Sequence, residues 1–203
     1  NFIKKNTLNI KFSKILEVGS GPGIGLNHIC HNYNARGYAI ESSRQSIKEI
    51  NKSNLIKWSG HSLFNIDQNL NNIDICILRH VVEHMLNPIE ELSILRNTIS
   101  DSTLVYISVP DMLHPRIDLR DYNDWTEYWF RVPHIHYFNR FTLKEVLFRS
   151  GFDIKYIEEC NNELRVVCTR TQMTKVNSDF NTEEAFITQL NLIESLLGKQ
   201  SDY

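Results

Sequence analysis

The sequence predicts an α/β fold in which helices cover both faces of a doubly wound parallel sheet. Short apolar runs alternate with amphipathic stretches along most of the 203 residues, which is typical of strands and helices that follow one another in such folds. The apolar run at residues 73–78 is nearly continuous, as in a parallel strand buried on both faces. A glycine-rich turn at residues 19–25 joins an apolar run to a helical pattern, which indicates a strand-turn-helix unit.

The spacing of the apolar residues assigns the remaining elements in order. Strands are predicted at residues 15–18, 37–41, 55–58, 73–78, 103–109, 152–158 and 163–169. Helices are predicted at residues 26–34, 43–51, 89–99 and 142–151, and in the tail from Asn181 or Thr182 onward. Gly151 is expected to end the fourth helix, because glycine readily adopts the left-handed conformation that follows a helix end.

We expect one domain over residues 1–170 and a tail at residues 171–203 that carries one helix. Residues 112–140 lack a regular pattern and are rich in Asp, Arg, His, Trp and Tyr. Because a connection this long inside a compact domain is usually functional, we interpret it as an insertion that covers a substrate. The tail helix would pack on its own sheet edge or pair with a second copy, so a monomer and a homodimer are both consistent with the sequence. The chain opens on Asn1 rather than Met, which is consistent with a trimmed start.

The charge balance argues against several classes of partner. The formal net charge is −2, and there are no clusters of Lys and Arg of the kind that bind nucleic acid or anionic membranes. No apolar run has the length of a membrane span, and no signal-peptide pattern opens the chain. We therefore expect a cytoplasmic protein whose partner is a small molecule. The four cysteines are scattered without a Cys-x-x-Cys pair, and we interpret them as reduced.

The glycine-rich turn is the strongest functional signal in the chain. A dinucleotide fingerprint would have its third glycine at the position of Ile24. Here the pattern is instead Gly-x-Gly-x-Gly-x-Gly, with Glu17 two residues before the first glycine. A carboxylate at this position would repel a pyrophosphate, whereas it suits a ligand that carries an ammonium group.

These residues resemble the first motif of the class I S-adenosylmethionine (SAM)-dependent methyltransferases, Glu/Asp-x-Gly-x-Gly-x-Gly. The resemblance covers residues 12–170 and implies a Rossmann-like sheet with an antiparallel last strand, and SAM as the cofactor. Glu41 ends the second strand about twenty residues after the glycines, the spacing at which an acid reaches ribose hydroxyls. The resemblance places the turn after the third strand against the adenine. We assign the cofactor contacts to Glu17, Gly19, Ser20, Gly21, Pro22, Gly23, Glu41, Ser42, Gly60, His61, Ser62, Arg79 and His80.

The segment after the fourth strand carries the candidate catalytic histidine. His80 through His84 formally match the His-x-x-Glu-His motif of inverted zinc peptidases, but that motif requires a helix, and here it follows a buried strand. Within the methyltransferase resemblance, His80 lies near the donated methyl and is our first candidate for the general base. In the ubiquinone-type O-methyltransferases, which the segment also resembles, an acid at the position of His80 contributes to a metal site with the Glu-His pair. With a histidine there instead, a metal site stays open as an alternative, and we assign no metal ligand.

The insertion supplies the candidate acceptor contacts. The motif that contains His134 and His136 resembles the closing segment of methyltransferases in sugar and surface-polysaccharide pathways, and these two histidines are our alternative catalytic bases. Aromatic rings there would stack on a sugar, and arginines would bind a phosphate or carboxylate. We assign acceptor binding to Asp111, Arg116, Trp129, Arg131 and Tyr137.

The sequence therefore predicts a SAM-dependent methyltransferase that acts on an oxygen of a small polar acceptor, such as a sugar, a nucleotide-linked sugar or a phosphorylated polysaccharide precursor. Two alternatives stay open. One is a SAM-binding module without catalysis that serves a partner, and the other is an oxidoreductase that uses a nucleotide cofactor.

Overall fold

A computed structural model describes residues 11–66, 70, 72–112, 134–160 and 162–171, together with residues 187 and 191. In these ranges the strands are β1 (Lys14–Val18), β2 (Arg36–Ile40), β3 (Ile56–Gly60), β4 (Ile75–Arg79), β5 (Leu104–Pro110), β6 (Phe152–Cys160) and β7 (Glu163–Arg170). The α-helices are α1 (Ile24–Tyr33), α2 (Arg44–Ile50), α3 (Pro88–Thr98) and α4 (Arg140–Arg149). Single turns of 3₁₀-helix lie at Leu63–Asn65 and Val82–His84.

The seven strands form one sheet in the order β3-β2-β1-β4-β5-β7-β6. Strands β1 to β5 are parallel to one another, and β7 runs antiparallel to both β5 and β6. The predicted fold, mostly parallel with an antiparallel end, is thus confirmed. The strand order reverses between β1 and β4, so the loops that leave these two strands open a crevice at the carboxyl edge of the sheet, where ligands bind in such folds.

Successive residues of the central strands face opposite sides of the sheet and fill two cores. Leu16 and Leu78 belong to the core that contains Leu92 of α3 and Leu143 of α4. On the opposite face, a second core joins alternate residues of the same strands to α1, and its members include Ile15, Leu26, Cys30, Ile75 and Ile77. The continuous apolar pattern of the central strands follows from this burial on both faces.

Local capping explains where two helices begin. Asn139 Oδ1 accepts hydrogen bonds from the amides of Phe141 (2.9 Å) and Thr142 (2.8 Å), and Thr142 Oγ1 accepts one from the Asn139 amide (3.0 Å). This reciprocal cap starts α4 at Arg140, two residues before the predicted start. Asn87 caps α3 in one direction, since its Oδ1 accepts a hydrogen bond from the Glu90 amide at 3.3 Å, and Pro88 lies in the first turn. Gly151 follows the end of α4 with φ 79°, the left-handed conformation expected of a glycine at a helix end.

Strand β4 begins at Ile75, two residues after the predicted start. The Asp74 carboxylate turns back to accept hydrogen bonds from the amides of Ser13 (2.6 Å) and Lys14 (2.8 Å). It thereby fixes the start of β1 beside the start of β4.

The four cysteines lie within the described residues and none of them forms a disulfide. Burial raises the pKa of the Cys76 and Cys168 thiols, so these two residues act as small apolar groups, in agreement with the sequence interpretation. Among the described residues, no helix combines the length and the apolar character needed to cross a bilayer. Residues 113–133, most of the predicted insertion, and nearly all of the predicted tail lie outside the described residues.

Candidate functional site

The glycine-rich turn leaves β1 at the crevice and is held against the end of β2. The Gly19 amide donates a hydrogen bond to the carbonyl oxygen of Ile40 at 2.9 Å. Gly19 has φ 65°, and a Cβ atom there would lie 2.6 Å from Cγ2 of Val81. This close approach brings the turn against the segment that follows β4, so the two predicted parts of the site are adjacent. A side chain at Gly19 would push them apart.

Glu41 lies beside the glycine turn, as its spacing in the sequence predicts. Its two carboxylate oxygens accept hydrogen bonds from the amides of Gly21 (2.8 Å) and Ser43 (2.7 Å). The Trp58 indole donates to the Glu41 carbonyl oxygen at 3.1 Å, and the His61 ring lies edge-on to Trp58 with the centroids 4.8 Å apart. The end of β2 and the turn after β3 therefore form one continuous surface next to the glycines.

Glu17 is almost completely buried, with 1% of its surface exposed. One oxygen, Oε1, is paired with the Arg79 guanidinium, at 3.0 Å from Nε and 2.5 Å from its nearer terminal nitrogen. The other, Oε2, has no hydrogen-bond partner among the described residues. Burial raises the pKa of Glu17, and the charge of Arg79 opposes that shift. The pair presents a carboxylate and a guanidinium side by side at the ends of β1 and β4.

His80 lies between two carboxylates. Its Nε2 is 2.9 Å from Oε1 of Glu163, and its Nδ1 is 3.3 Å from Oε1 of Glu83. The hydrogen bond to Glu163 and the contact with Glu83 raise the pKa of His80 to about 9. The imidazole is therefore mostly charged at neutral pH, so it can take up a proton only after losing its own.

Glu163 and Arg165 are site residues that sequence reasoning missed. The other oxygen of Glu163 accepts a hydrogen bond from Arg165 Nε at 2.9 Å, and the bond with His80 lowers the pKa of Glu163. Both residues begin β7, which reaches the carboxyl edge because it runs antiparallel to β5. The only signal in the sequence was their position directly after the predicted turn between the last two strands.

Glu17, Arg79, His80, Glu163 and Arg165 line one cleft of about 870 Å³, whereas Glu41 and the described turn after β3 are not part of its lining. The polar residues of the lining come from four parts of the sheet edge and include Glu17, Ser20, Arg79, His80, Ser108 and Glu163. The cofactor residues predicted at the ends of β1 and β4 and the candidate base thus share one cavity.

The segment after the predicted insertion docks onto the turn that follows β4. The amides of Ile135 and His136 both donate to the Glu83 carbonyl oxygen, at 2.9 and 3.1 Å. The His134 ring lies 5.0 Å from the His84 ring, between centroids, and 6.2 Å from that of Tyr137.

The predicted acceptor residues are only partly described. Asp111 is buried at the end of β5, beside Phe138, so Asp111, His134, His136 and Tyr137 come to the same sheet edge as His80. Arg116, Trp129 and Arg131 lie outside the described residues.

Two metal interpretations can be weighed against this geometry. The peptidase motif would need an α-helix, but the chain from Val82 to His84 is one turn of 3₁₀-helix and His80 has φ 52°. Donor atoms of Glu83, His84 and His134 lie within 4.8 Å of one another. However, Glu83 Oε1 is closer to His80 Nδ1 (3.3 Å) than to His84 Nε2 (4.0 Å). We assign no metal to these groups.

Comparison with known proteins identifies the family of the chain and supports its fold. Residues 2–157 match a family model described as a methyltransferase domain, whereas no curated protein sequence is significantly similar to the chain. Among solved structures, the chain is similar to the N,N-8-amino-8-demethyl-D-riboflavin dimethyltransferase RosA from Streptomyces davawensis, with a TM-score of 0.64 and 18% identity. The match covers 84% of this chain and 54% of that one, so the chain spans about half of that relative.

Two further structures match over most of their own length. A SAM-dependent methyltransferase from Aquifex aeolicus has a TM-score of 0.65 and 15% identity, over 84% of this chain and 88% of that one. The plantazolicin methyltransferase BpumL, solved with S-adenosylhomocysteine (SAH), has a TM-score of 0.65 and 17% identity, over 84% and 81%. At these identities the structures support the fold, and the family model supports the assignment. The chain therefore belongs to the methyltransferase domain family.

Proposed function

We propose that the protein transfers the methyl group of SAM to an oxygen of a small polar acceptor, such as a sugar, a nucleotide-linked sugar or a phosphorylated precursor of a surface polysaccharide. The observation that carries the proposal is the shared cleft, in which Glu17 and Arg79 lie beside His80. SAM supplies an electrophilic methyl group, and the cleft offers both the charges that suit its methionine end and a histidine that can take a proton from a hydroxyl.

The residues at the ends of β1, β2 and β4 suit the cofactor. The methionine end of SAM carries an ammonium and a carboxylate, and the Glu17–Arg79 pair offers one charge for each. The buried Glu17 Oε2, which lacks a hydrogen-bond partner among the described residues, is suited to accept from the ammonium group. Glu41, held beside Gly21, is placed to accept hydrogen bonds from ribose hydroxyls. We assign the contacts around these groups to Ser20, Pro22, Gly23, Ser42, Gly60, His61 and Ser62.

The acceptor would bind where the segment containing His134, His136 and Tyr137 meets His80. A hydroxyl acceptor must lose a proton as it is methylated, and His80 is our first candidate for that role, with His134 and His136 as alternatives. Asp111 and Tyr137, together with Arg116, Trp129 and Arg131 of the insertion, are the proposed acceptor contacts. Structural relatives that act on small molecules are consistent with this choice, since one is a mitomycin 7-O-methyltransferase. The sugar or polysaccharide acceptor rests on the motif around His134 alone.

Two alternatives are tested by the same measurements. A SAM-binding module without catalysis would bind SAH tightly and methylate nothing, and one structural relative is a putative methyltransferase in complex with the activator Trm112. An oxidoreductase would bind a dinucleotide, although the family assignment speaks against it. A cytoplasmic location and a monomeric or homodimeric state belong to this proposal as well.

The first experiment is calorimetric titration of the protein with SAH and, separately, with NAD. We expect saturable binding of SAH and none of NAD. A panel of hexoses, hexose phosphates and nucleotide-linked hexoses, assayed with SAM labelled at its methyl group, then tests the acceptor class. Binding of NAD without SAH would contradict the cofactor assignment. Binding of SAH with no transfer to any sugar of the panel would contradict the proposed acceptor.

A further inference from the structure

His80 is held by two carboxylates that come from different parts of the fold. Glu83 lies in the turn directly after β4, and Glu163 begins β7 on the far side of β5. Each carboxylate contacts a different ring nitrogen, Glu83 at Nδ1 (3.3 Å) and Glu163 at Nε2 (2.9 Å). The two ring nitrogens can therefore have different roles.

The two carboxylates differ in what surrounds them. The Glu83 side chain is 1% exposed, and neither of its oxygens has a hydrogen-bond partner among the described residues. A buried carboxylate in this position depends on a nearby proton or positive charge, and the His80 ring is the nearest one. Glu163 is 25% exposed and has Arg165 as a second partner. Loss of the contact with His80 to a competing group should therefore cost much less free energy for Glu163 than for Glu83.

The backbone keeps the His80 ring in place between them. His80 has φ 52°, a left-handed conformation that is uncommon outside glycine and that histidine adopts more readily than most residues. Its amide donates to the Ser108 carbonyl oxygen on β5 at 2.9 Å. The ring thus projects across the edge of the sheet, and 47% of its side-chain surface is exposed to the cleft and solvent.

We propose that Glu83 is the positioning residue that keeps a proton on His80 Nδ1, and that Glu163 is an exchangeable partner of Nε2 that the acceptor hydroxyl replaces. This inference rests on the proposed function. In the step that it describes, neutral His80 accepts the hydroxyl proton at Nε2. The electron pair left on the acceptor oxygen forms the new bond to the methyl carbon, and the pair of the broken carbon–sulfur bond stays on sulfur. The other charged or titratable groups that line this cleft are Glu17, Tyr33, Arg79, Tyr106 and Arg165.

The test is nitrogen NMR of the protein labelled at its histidine rings, titrated from pH 6 to 11 with saturating SAH, which needs no acceptor. The spectrum of a His80→Gln variant assigns the His80 signals. We expect that neutral His80 in the unaltered protein carries its proton on Nδ1. In Glu163→Gln that tautomer should persist while the pKa of His80 falls by about one unit or more, since a charged hydrogen-bond partner is lost. In Glu83→Gln the tautomer preference should disappear.

Glu159→Gln is the matched control, because Glu159 is a strand carboxylate of the same sheet that pairs with Arg140 (3.4 Å) and should leave the His80 signals unchanged. Neutral His80 with its proton on Nε2 in the unaltered protein would overturn the inference, even if the Glu83 variant does not fold. An unchanged tautomer in Glu83→Gln would do the same. Saturable Zn²⁺ binding that lowers the pKa of His80 would also overturn it, because Glu83 would then serve a metal. Failure of SAH to bind would instead contradict the proposed function.

Discussion

At the scale of single residues, carboxylates at neighbouring strand ends acquire different properties from their surroundings. Glu17 is buried with a raised pKa and has one guanidinium partner, whereas Glu41 is half-buried and is held by two backbone amides. Burial deprives the Glu17 carboxylate of water, so this carboxylate is suited to bind a positively charged group. Glu41 can accept hydrogen bonds from hydroxyl groups while it keeps those from the two backbone amides.

Replacing either carboxylate should weaken cofactor binding. We expect Glu41→Ala and Glu17→Ala each to raise the dissociation constant of SAH by about tenfold or more, because a hydrogen bond to a charged group contributes about 1.5–3 kcal/mol. Calorimetry with SAH measures the effect. Glu49→Ala is a suitable control, since Glu49 lies on α2 and pairs with Lys52 at the surface. Unchanged affinity in both site variants would refute the placement of the cofactor.

The charge of His80 makes stability depend on pH. The pKa of His80 is raised from 6.5 to about 9 in the folded protein. The folded protein therefore binds the proton on this ring more tightly than the unfolded chain does. The stabilisation is therefore fully present below pH 6.5 and is lost as the pH rises through 9. About half of the ring is exposed, so the effect should be at most about 1 kcal/mol.

Thermal unfolding followed by circular dichroism at pH 6.5 and 9.5 measures this loss. The midpoint should fall more for the unaltered protein than for His80→Gln. Equal falls in the two proteins would show that His80 is not held as a cation in the folded state.

At the scale of elements, the turn after β1 combines positions with different constraints. Gly19 needs both a positive φ and space beside Val81. Gly21 has φ 54°, but nothing lies within 4 Å of the place where its Cβ would be. Substitution of Gly21 therefore tests the free-energy cost of the backbone conformation alone, whereas substitution of Gly19 adds the cost of a steric contact.

We expect Gly19→Ala to reduce the free energy of unfolding by about 2–4 kcal/mol, from the left-handed backbone together with overpacking. Gly21→Ala should cost only about 1–2 kcal/mol, from the backbone alone. Urea denaturation of the two variants without SAH provides the comparison. Equal losses would mean that the contact between Gly19 and Val81 relaxes at little cost.

At the scale of the whole molecule, the parts of the site that could be predicted from sequence are those fixed by local signals. The glycine turn, Glu41 and His80 each follow directly on a recognisable strand, and a parallel sheet brings strand ends together whatever the details of packing. Their presence at one edge could therefore be foreseen. The pairing of Glu17 with Arg79 could not, because it depends on side-chain directions across two strands.

Glu163 and Arg165 could not be predicted for a different reason. Their position at the carboxyl edge of the sheet depends on β7 lying between β5 and β6. This pairing joins residues far apart in the sequence, so no local pattern reveals it. The same holds for the pKa of His80, which depends on Glu163. The predicted start of α4 is two residues late, because the helix begins directly after its cap at Asn139.

The place of β7 also bears on the order in which the protein can form. Of the described strands it comes last in the sequence, yet it pairs on both sides, and within the described residues β6 joins the sheet only through it. A chain ending at residue 160 should therefore lack cooperative unfolding, which the full chain should show. Cooperative unfolding of the shorter chain in urea would count against this expectation.

During synthesis, the edge of β5 that pairs with β7 lacks this partner until more than fifty further residues have been added. Glu163, the carboxylate that contacts Nε2 of His80, belongs to β7, the strand that pairs with this edge of β5. The candidate catalytic centre is thus completed at the same moment as the sheet, and a nascent chain that stops short of β7 has neither.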